Sequence, residues 1–308
     1  MTASRGACVL DDLRLTVGAR TDVGRRRSVN EDSLLVGYPV FLVADGMGGH
    51  EAGDLASASV VEQFRGLVGR DGVTARDVAD TIDHAHVTVQ SIAPGTRRGA
   101  GSTVSGVAVV DQTGRPHWLI FNLGDSRAYR LAGDALEQLT TDHSVVQDLV
   151  DQGTISRAEM STYPGHNVIT RAVGAPDSET DFWLLPIVTG ERLLLCTDGL
   201  TNEVSDDEIL RVLANEPDPQ AAADALVGLA LAAGGRDNVT AVVLDVVAGG
   251  IPSGSGQEPT VAWRFGSGAG AAAASVAPGP TPLSLDTAPL AIIDEATLPS
   301  TRRRVLRG

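Results

Sequence analysis

Four segments of the 308-residue sequence share one design, in which an apolar run meets an aspartate with glycine close by. They are Val40-Phe-Leu-Val-Ala-Asp45-Gly46, Phe121-Asn-Leu-Gly124-Asp125, Leu193-Leu-Leu-Cys-Thr-Asp198-Gly199 and Gly235-Arg-Asp237-Asn238-Val-Thr240. An aspartate at the mouth of a buried strand has a rigid support and a carboxylate at the rim of the core. Several gathered there repel one another and raise each other's pKa unless a cation holds them. Hard divalent ions such as Mg2+ or Mn2+ take oxygen ligands, and the glycine after Asp45 lets a backbone carbonyl approach the same ion. Asp-Gly alone is an ordinary turn dipeptide, so it is the recurrence at strand ends that points to a carboxylate metal site. Zinc fits poorly, because the histidines are scattered and His84 and His86, two apart on an expected helix, face different sides.

A second segment, Asp22-Val-Gly-Arg25-Arg26-Arg27-Ser-Val-Asn30-Glu31-Asp32-Ser33, puts three arginines beside an acidic pair. A guanidinium grips phosphate oxygens through a planar two-pronged contact, so one of these arginines could hold a phosphoryl group over metals. Other phosphate chemistries fail. Cys8 and Arg14 have the spacing of a thiolate phosphatase, but the loop between them has no glycine and carries Asp11 and Asp12, which repel phosphate and raise the thiol pKa. Cys196 reads as a small core residue. There is no nucleophile elbow for a serine hydrolase.

These residues need strands that end at one rim. Apolar runs rich in Val and Leu predict strands at Leu34–Val36, Val40–Ala44, Thr103–Val110, Trp118–Asn122, Arg127–Leu131, Arg192–Cys196 and Val239–Val247. Helices are expected over Gly53–Leu67 and Thr74–Ser91, after capping boxes at Ser144, Ser156 and Ser205, and from Asp218 with proline at the first helical position. Strands and helices do not alternate regularly, which predicts an antiparallel α+β layered domain.

A net charge of -15 excludes a general nucleic-acid binder and a polybasic membrane-surface protein. The basic residues are all arginine, which removes P-loop and Schiff-base chemistry. Two cysteines give no disulfide framework, and no signal peptide or membrane-length apolar run is present, so a cytoplasmic protein is expected. From Gly249 the composition turns to Gly, Ala, Pro, Ser and Thr and ends in Arg302-Arg-Arg-Val-Leu-Arg-Gly308. The expected organisation is an N-terminal extension (1–13), a catalytic domain (14–248) and a disordered tail with a basic end (249–308).

Taken in order, the segments resemble the metal-dependent Ser/Thr protein phosphatase family, type 2C, in its bacterial form. The resemblance rests on Asn30-Glu31-Asp32-Ser33, Asp45-Gly-Met-Gly-Gly-His50, Gly101-Ser-Thr103, Gly124-Asp-Ser-Arg-Ala-Tyr129, Asp142-His-Ser144, Thr170-Arg-Ala-Val-Gly174, Thr197-Asp-Gly-Leu200 and Gly235-Arg-Asp-Asn-Val-Thr240. It implies a four-layer α-β-β-α sandwich with two central antiparallel sheets. It also implies two ions, Mn2+ or Mg2+, with Asp45 bridging them, the Gly46 carbonyl on the second, and Asp198 and Asp237 on the first. Asp125 with Asp198 would hold a third, weaker ion, Glu31 and Asp32 would be outer-shell groups, and Arg27 would bind phosphate. The implied reaction is hydrolysis of phosphoserine and phosphothreonine by in-line attack of a metal-bridging hydroxide. Relatives with His directly after the Asp-Gly pair have a general acid there, whereas this sequence has Met47, and a metal-bound water is the alternative.

The implied partners are phosphorylated proteins, namely Ser/Thr kinases and their substrates, for an enzyme that need be no more than a monomer. Ser144–His166 matches a flap beside the catalytic channel, expected to select protein substrates. Two alternatives stand beside the enzyme: a phosphoprotein-binding pseudophosphatase, and a regulator of a partner of the anti-sigma-antagonist type.

Overall fold

The apolar runs become strands with both faces buried, which is why they read as continuous hydrophobic stretches and not as alternating ones. In β3 (Val40–Met47), Val40, Leu42 and Ala44 face one core while Phe41 and Val43 face another. In β11 (Val239–Ala248), Val242, Leu244 and Val246 share that second core, and Val239, Ala241 and Val243 face a third. Three cores separated by two sheets make four layers. The computed structural model describes residues 12–48, 52–92, 99–176, 178–252 and 261–265.

One sheet has the order β1-β11-β10-β7-β8, with β1 Arg14–Asp22, β7 Arg127–Ala132, β8 Ala135–Gln138 and β10 Arg192–Cys196. The other runs β12-β9-β6-β5-β3-β2, with β2 Asp32–Gly37, β5 Val104–Gln112, β6 Arg115–Leu123, β9 Thr180–Pro186 and β12 Val261–Phe265, and the short β4 (Gly101–Ser102) pairs with the end of β3. Every strand pairing is antiparallel. Helices α1 (Gly53–Arg65) and α2 (Ala75–Ile92) cover the second sheet, burying Val60, Phe64, Ile82 and Val89. The short α4 (Asp198–Thr201) follows β10, and helices α5 (Asp206–Asn215) and α6 (Pro219–Ala233) cover the first sheet with Ile209, Leu213, Leu226 and Val227. The four-layer sandwich implied by the resemblance is the fold observed.

The caps act largely as expected. Ser205 and Glu208 close a reciprocal box at α5, and Asp218 accepts from the Ala221 N–H at 2.9 Å at the start of α6. Ser144 accepts from the Gln147 N–H and opens the short α3 (Val145–Asp151), whereas the Ser156 box opens a 3-10 turn, Arg157–Thr162.

Backbone pairing continues past residue 248. The Ile251 carbonyl accepts from the Thr189 N–H at 3.0 Å, and β12 pairs with β9 along the sheet edge. Val261-Ala-Trp-Arg-Phe265 is a β-prone run inside a Gly-rich segment, and averaging composition over the whole tail hid it. Residues 1–11, with Cys8, and His50 lie outside the described residues, as do 253–260 and 266–308 of the tail.

Candidate metal centre

All the aspartates singled out lie at one end of the strands. Asp45 lies near the end of β3, Asp125 follows β6 across the Gly124 turn, Asp198 follows β10, and Asp237 precedes β11. Gly124 has φ +116, and a Cβ there would lie 2.5 Å from the Thr103 side chain, so only glycine makes this turn. The β2–β3 register places Asp32 directly across from Asp45. Like charges directly opposite each other destabilise a sheet, so this pair is the first sign that a cation belongs here.

The electrostatics carry the same message. Burial pushes the Asp45 carboxyl well above the usual carboxylate range, and Asp32, Asp198, Asp125 and Asp237 push it further. Asp125 is also raised well above that range, by burial and then by Asp198 and Asp142. Asp198 is raised by burial and by Asp237. Asp32 is pushed up to about 7 by burial, against the opposing pull of hydrogen bonds from Thr240 and Thr197. Arg127, which also lies in this field, is tied up by Asp142, Nη2 to Oδ2 at 2.6 Å.

The arrangement fits hard divalent cations. Asp32 Oδ1 and Asp198 Oδ1 are buried without a hydrogen-bond partner. A Cβ on Gly53 would lie 2.9 Å from the Gly46 carbonyl oxygen and 2.9 Å from Glu31 Oε1, so the bare glycine keeps open a point on which two oxygens converge. Among the described residues no three His, Cys, Asp or Glu side chains form a finished ligand cage. That does not decide against the site, because Mg2+ and Mn2+ complete their shells with backbone carbonyls and waters and need few carboxylates each. The shared field and the partnerless buried oxygens weigh more.

The supports are built from backbone and hydroxyls. Asp45 is clamped through its main chain, donating N–H to Thr103 Oγ1 at 2.9 Å and accepting from the Thr103 N–H at 2.8 Å. The Thr103 hydroxyl also meets Ser126 Oγ at 2.7 Å, next to Asp125. Asp32 Oδ2 accepts from Thr240 Oγ1 at 2.6 Å and Thr197 Oγ1 at 2.9 Å, which ties one sheet to the other. Asn202 holds Asp198 Oδ2 at 3.0 Å.

Arg27 reaches Asp237 Oδ2 with Nη2 at 2.8 Å and lies 3.9 Å from Glu31 Oε2. Its loop is held by Asn238, which is buried. The Asn238 amide donates to the Val23 and Val29 carbonyls at 3.0 Å each and accepts from the Glu31 N–H at 2.9 Å. The structure thus brings Arg27, Glu31, Asp32, Asp45, Asp125, Asp198 and Asp237 into one region. Sequence reading gave no role to Asn238, Thr197, Thr240 or Thr103, although all four lie inside the quoted motifs. Cys196 is buried with its thiol pushed up to about 12 by burial, which suits a core residue.

The segment Ser144–His166 is rooted at the same place. His143 Nδ1 accepts from the Gly124 N–H at 3.1 Å, and its carbonyl accepts from the Thr170 N–H at 2.8 Å, so both ends of the segment meet beside Asp125. Arg157, in the 3-10 turn, is hydrogen-bonded to Gln138, whose amide donates to Asp142 at 3.0 Å.

Residues 24–228 match the family model for protein phosphatase 2C. The serine/threonine protein phosphatase PstP of Mycobacterium tuberculosis is 37% identical over 240 residues, which is 76% of this chain and 46% of PstP, so the chain spans about half the length of that relative. The serine/threonine phosphatase stp of Listeria monocytogenes is 34% identical over 240 residues, covering 73% of this chain and 94% of its own. Among solved structures, the catalytic domain of PstP in complex with 2 manganese ions superposes with a TM-score of 0.69 at 34% identity, covering 76% of this chain and 99% of that one. With the family model, these relatives and the fold in agreement, the chain belongs to the protein phosphatase 2C family of metal-dependent serine/threonine phosphatases.

Proposed function

We propose that this chain hydrolyses phosphoserine and phosphothreonine in proteins, in a catalytic unit that begins near residue 14. The observation that carries the reading is the convergence of Asp32, Asp45, Asp125, Asp198 and Asp237 in one field, with buried oxygens that have no partner. Asp45, the Gly46 carbonyl, Asp198 and Asp237 would hold two ions, Mn2+ or Mg2+, and Asp125 with Asp198 a third. When bound, the ions supply Lewis acidity and a water of lowered pKa.

The chain's own groups do the rest. Arg27, on a loop fixed by Asn238, presents its guanidinium beside the acid cluster, where it binds and orients the phosphoryl oxygens. Glu31, at the Gly53 cradle, orients outer-shell water. Asp32, held by two threonine hydroxyls, keeps its free oxygen beside Asp45. Met47 follows Gly46 and has no proton to give, so the leaving alkoxide must draw its proton from water.

The substrates that fit are phosphorylated proteins, including Ser/Thr kinases and the proteins they modify, met by a monomeric enzyme in the cytoplasm. Among the described residues no helix is long and apolar enough to cross a membrane. The test is phosphate release from phosphothreonine and phosphoserine peptides in Mn2+, Mg2+ or EDTA. Release is expected with either ion and none in EDTA. No release by folded, Mn2+-loaded protein would leave the phosphoprotein-binding reading in its place.

A further inference from the structure

The loop that carries Arg27 exposes three consecutive arginines in a chain whose net charge is -15. Arg27 is engaged by Asp237 and Glu31. Its cationic neighbours are engaged too: Arg20 lies 3.6 Å from Asp22 and 3.7 Å from Asp224, and Arg236 lies 3.0 Å from Glu203. Arg25 and Arg26 differ. Among the described residues neither guanidinium enters an ion pair or a hydrogen bond, and Arg25 is tied only through its backbone N–H, to the Gly235 carbonyl at 2.7 Å. Intramolecular pairing therefore explains neither charge, although acidic side chains are plentiful.

The support beneath them is rigid. Asn238 pins the Val23 and Val29 carbonyls, one on each side of the arginines. Gly24 has φ +78, and a Cβ there would lie 2.2 Å from the Asp237 carbonyl oxygen, so the turn is pressed against the segment that carries Asp237 just before β11. Successive Cα atoms are about 3.8 Å apart, so Arg25 and Arg26 stand within about 8 Å of Arg27 along the backbone. The residues flanking a phosphate held at Arg27 are thus within reach of a loop that carries two unpaired, exposed guanidinium groups.

We propose that Arg25 and Arg26 form a second anion subsite, which selects phosphoprotein segments with another phosphate or a carboxylate within a few residues of the phosphate being cleaved. This inference rests on the phosphatase reading above. Planar guanidinium groups favour both anions, phosphate more through its higher charge. An acidic protein repels acidic segments on average, and two unpaired arginines at the site offset that locally.

The test uses one phosphothreonine peptide in three forms, with phosphothreonine, Asp or Ala two residues away. kcat/KM is measured for the wild type, for Arg25→Ala/Arg26→Ala and for Arg25→Glu/Arg26→Glu, each shown to fold by circular dichroism. The wild type is expected to rank second phosphate over Asp over Ala, spanning about tenfold at low salt. The double-Ala variant should lose that span through KM with kcat retained, the double-Glu variant should reverse it, and 1 M salt should flatten it. A flat wild-type ranking, or a ranking that survives in the double-Ala variant, overturns the subsite. Failure of the phosphatase reading is separable: it would show as absent release from p-nitrophenyl phosphate by the wild type, and peptide binding by fluorescence anisotropy would still test the ranking.

Discussion

Replacing Asp32 by Asn should stabilise the metal-free protein while impairing its site. Asp32 is only 8% exposed and stands opposite Asp45 across the β2–β3 ladder. An Asn carbonyl can accept both threonine hydroxyls that Asp32 Oδ2 accepts at 2.6 and 2.9 Å. Its NH2 would replace the partnerless Oδ1 with a donor facing carboxylates. A rise from 3.8 to about 7 is an ionisation penalty on the order of 4 kcal/mol. Because neighbouring carboxyls trade protons with Asp32, one substitution should recover about half, roughly 2 kcal/mol. A carboxyl whose folded pKa lies above its unfolded one contributes most below about pH 4, and that contribution is lost as the pH rises through about 7. The gain of Asp32→Asn over wild type should thus be near zero at pH 4, grow across that window, and level off above it. Thermal and urea unfolding in EDTA at pH 4, 6 and 8 would read it, with a Tm rise at pH 8 of about 4–8 °C. A variant no more stable than wild type at pH 8, or a gain that ignores pH, would refute the reasoning.

Asn238→Ala removes the three side-chain hydrogen bonds that hold the arginine loop and should cost about 3 kcal/mol, with faster tryptic cleavage after Arg25, Arg26 and Arg27 in native protein. Gly46→Ala puts a Cβ 1.9 Å from the Gly53 carbonyl and should lose more than about 3 kcal/mol or fail to fold, as circular dichroism and urea titration would report. Mn2+ should raise wild-type stability by about 1.4 kcal/mol per tenfold of concentration above its Kd, less at pH 5 than at pH 8 because raised carboxyls must release protons first; thermal shift would read both.

What the sequence disclosed depended on whether a feature was local. Strands buried on both faces, such as Val40-Phe-Leu-Val-Ala44 and Arg192–Cys196, read plainly because a continuous apolar run needs no partner to be seen. β1 escaped, since Leu15, Val17 and Ala19 alternate with Arg14, Thr16 and Arg20 in a stretch of weak contrast. β9 escaped because four apolar residues, Phe182 to Leu185, fit several structures equally well. At the site, the aspartates were legible as strand ends, but their supports act across the chain. Asn238 reaches Glu31 over 207 positions and Thr240 reaches Asp32 over 208, so their roles exist only once β1, β2 and β11 are assembled. Asp32 read as an outer-shell group, and what the sequence could not show is that the register sets it face to face with Asp45.

The most direct test of the acid cluster as the phosphatase centre is phosphate release from a phosphothreonine peptide at saturating Mn2+ by wild type, Asp45→Asn and Asp198→Asn, all confirmed folded. Metal-dependent release by wild type, with both variants down by at least about a thousandfold, is the expected result. Variants that release phosphate at wild-type rates would place the chemistry elsewhere and contradict the account.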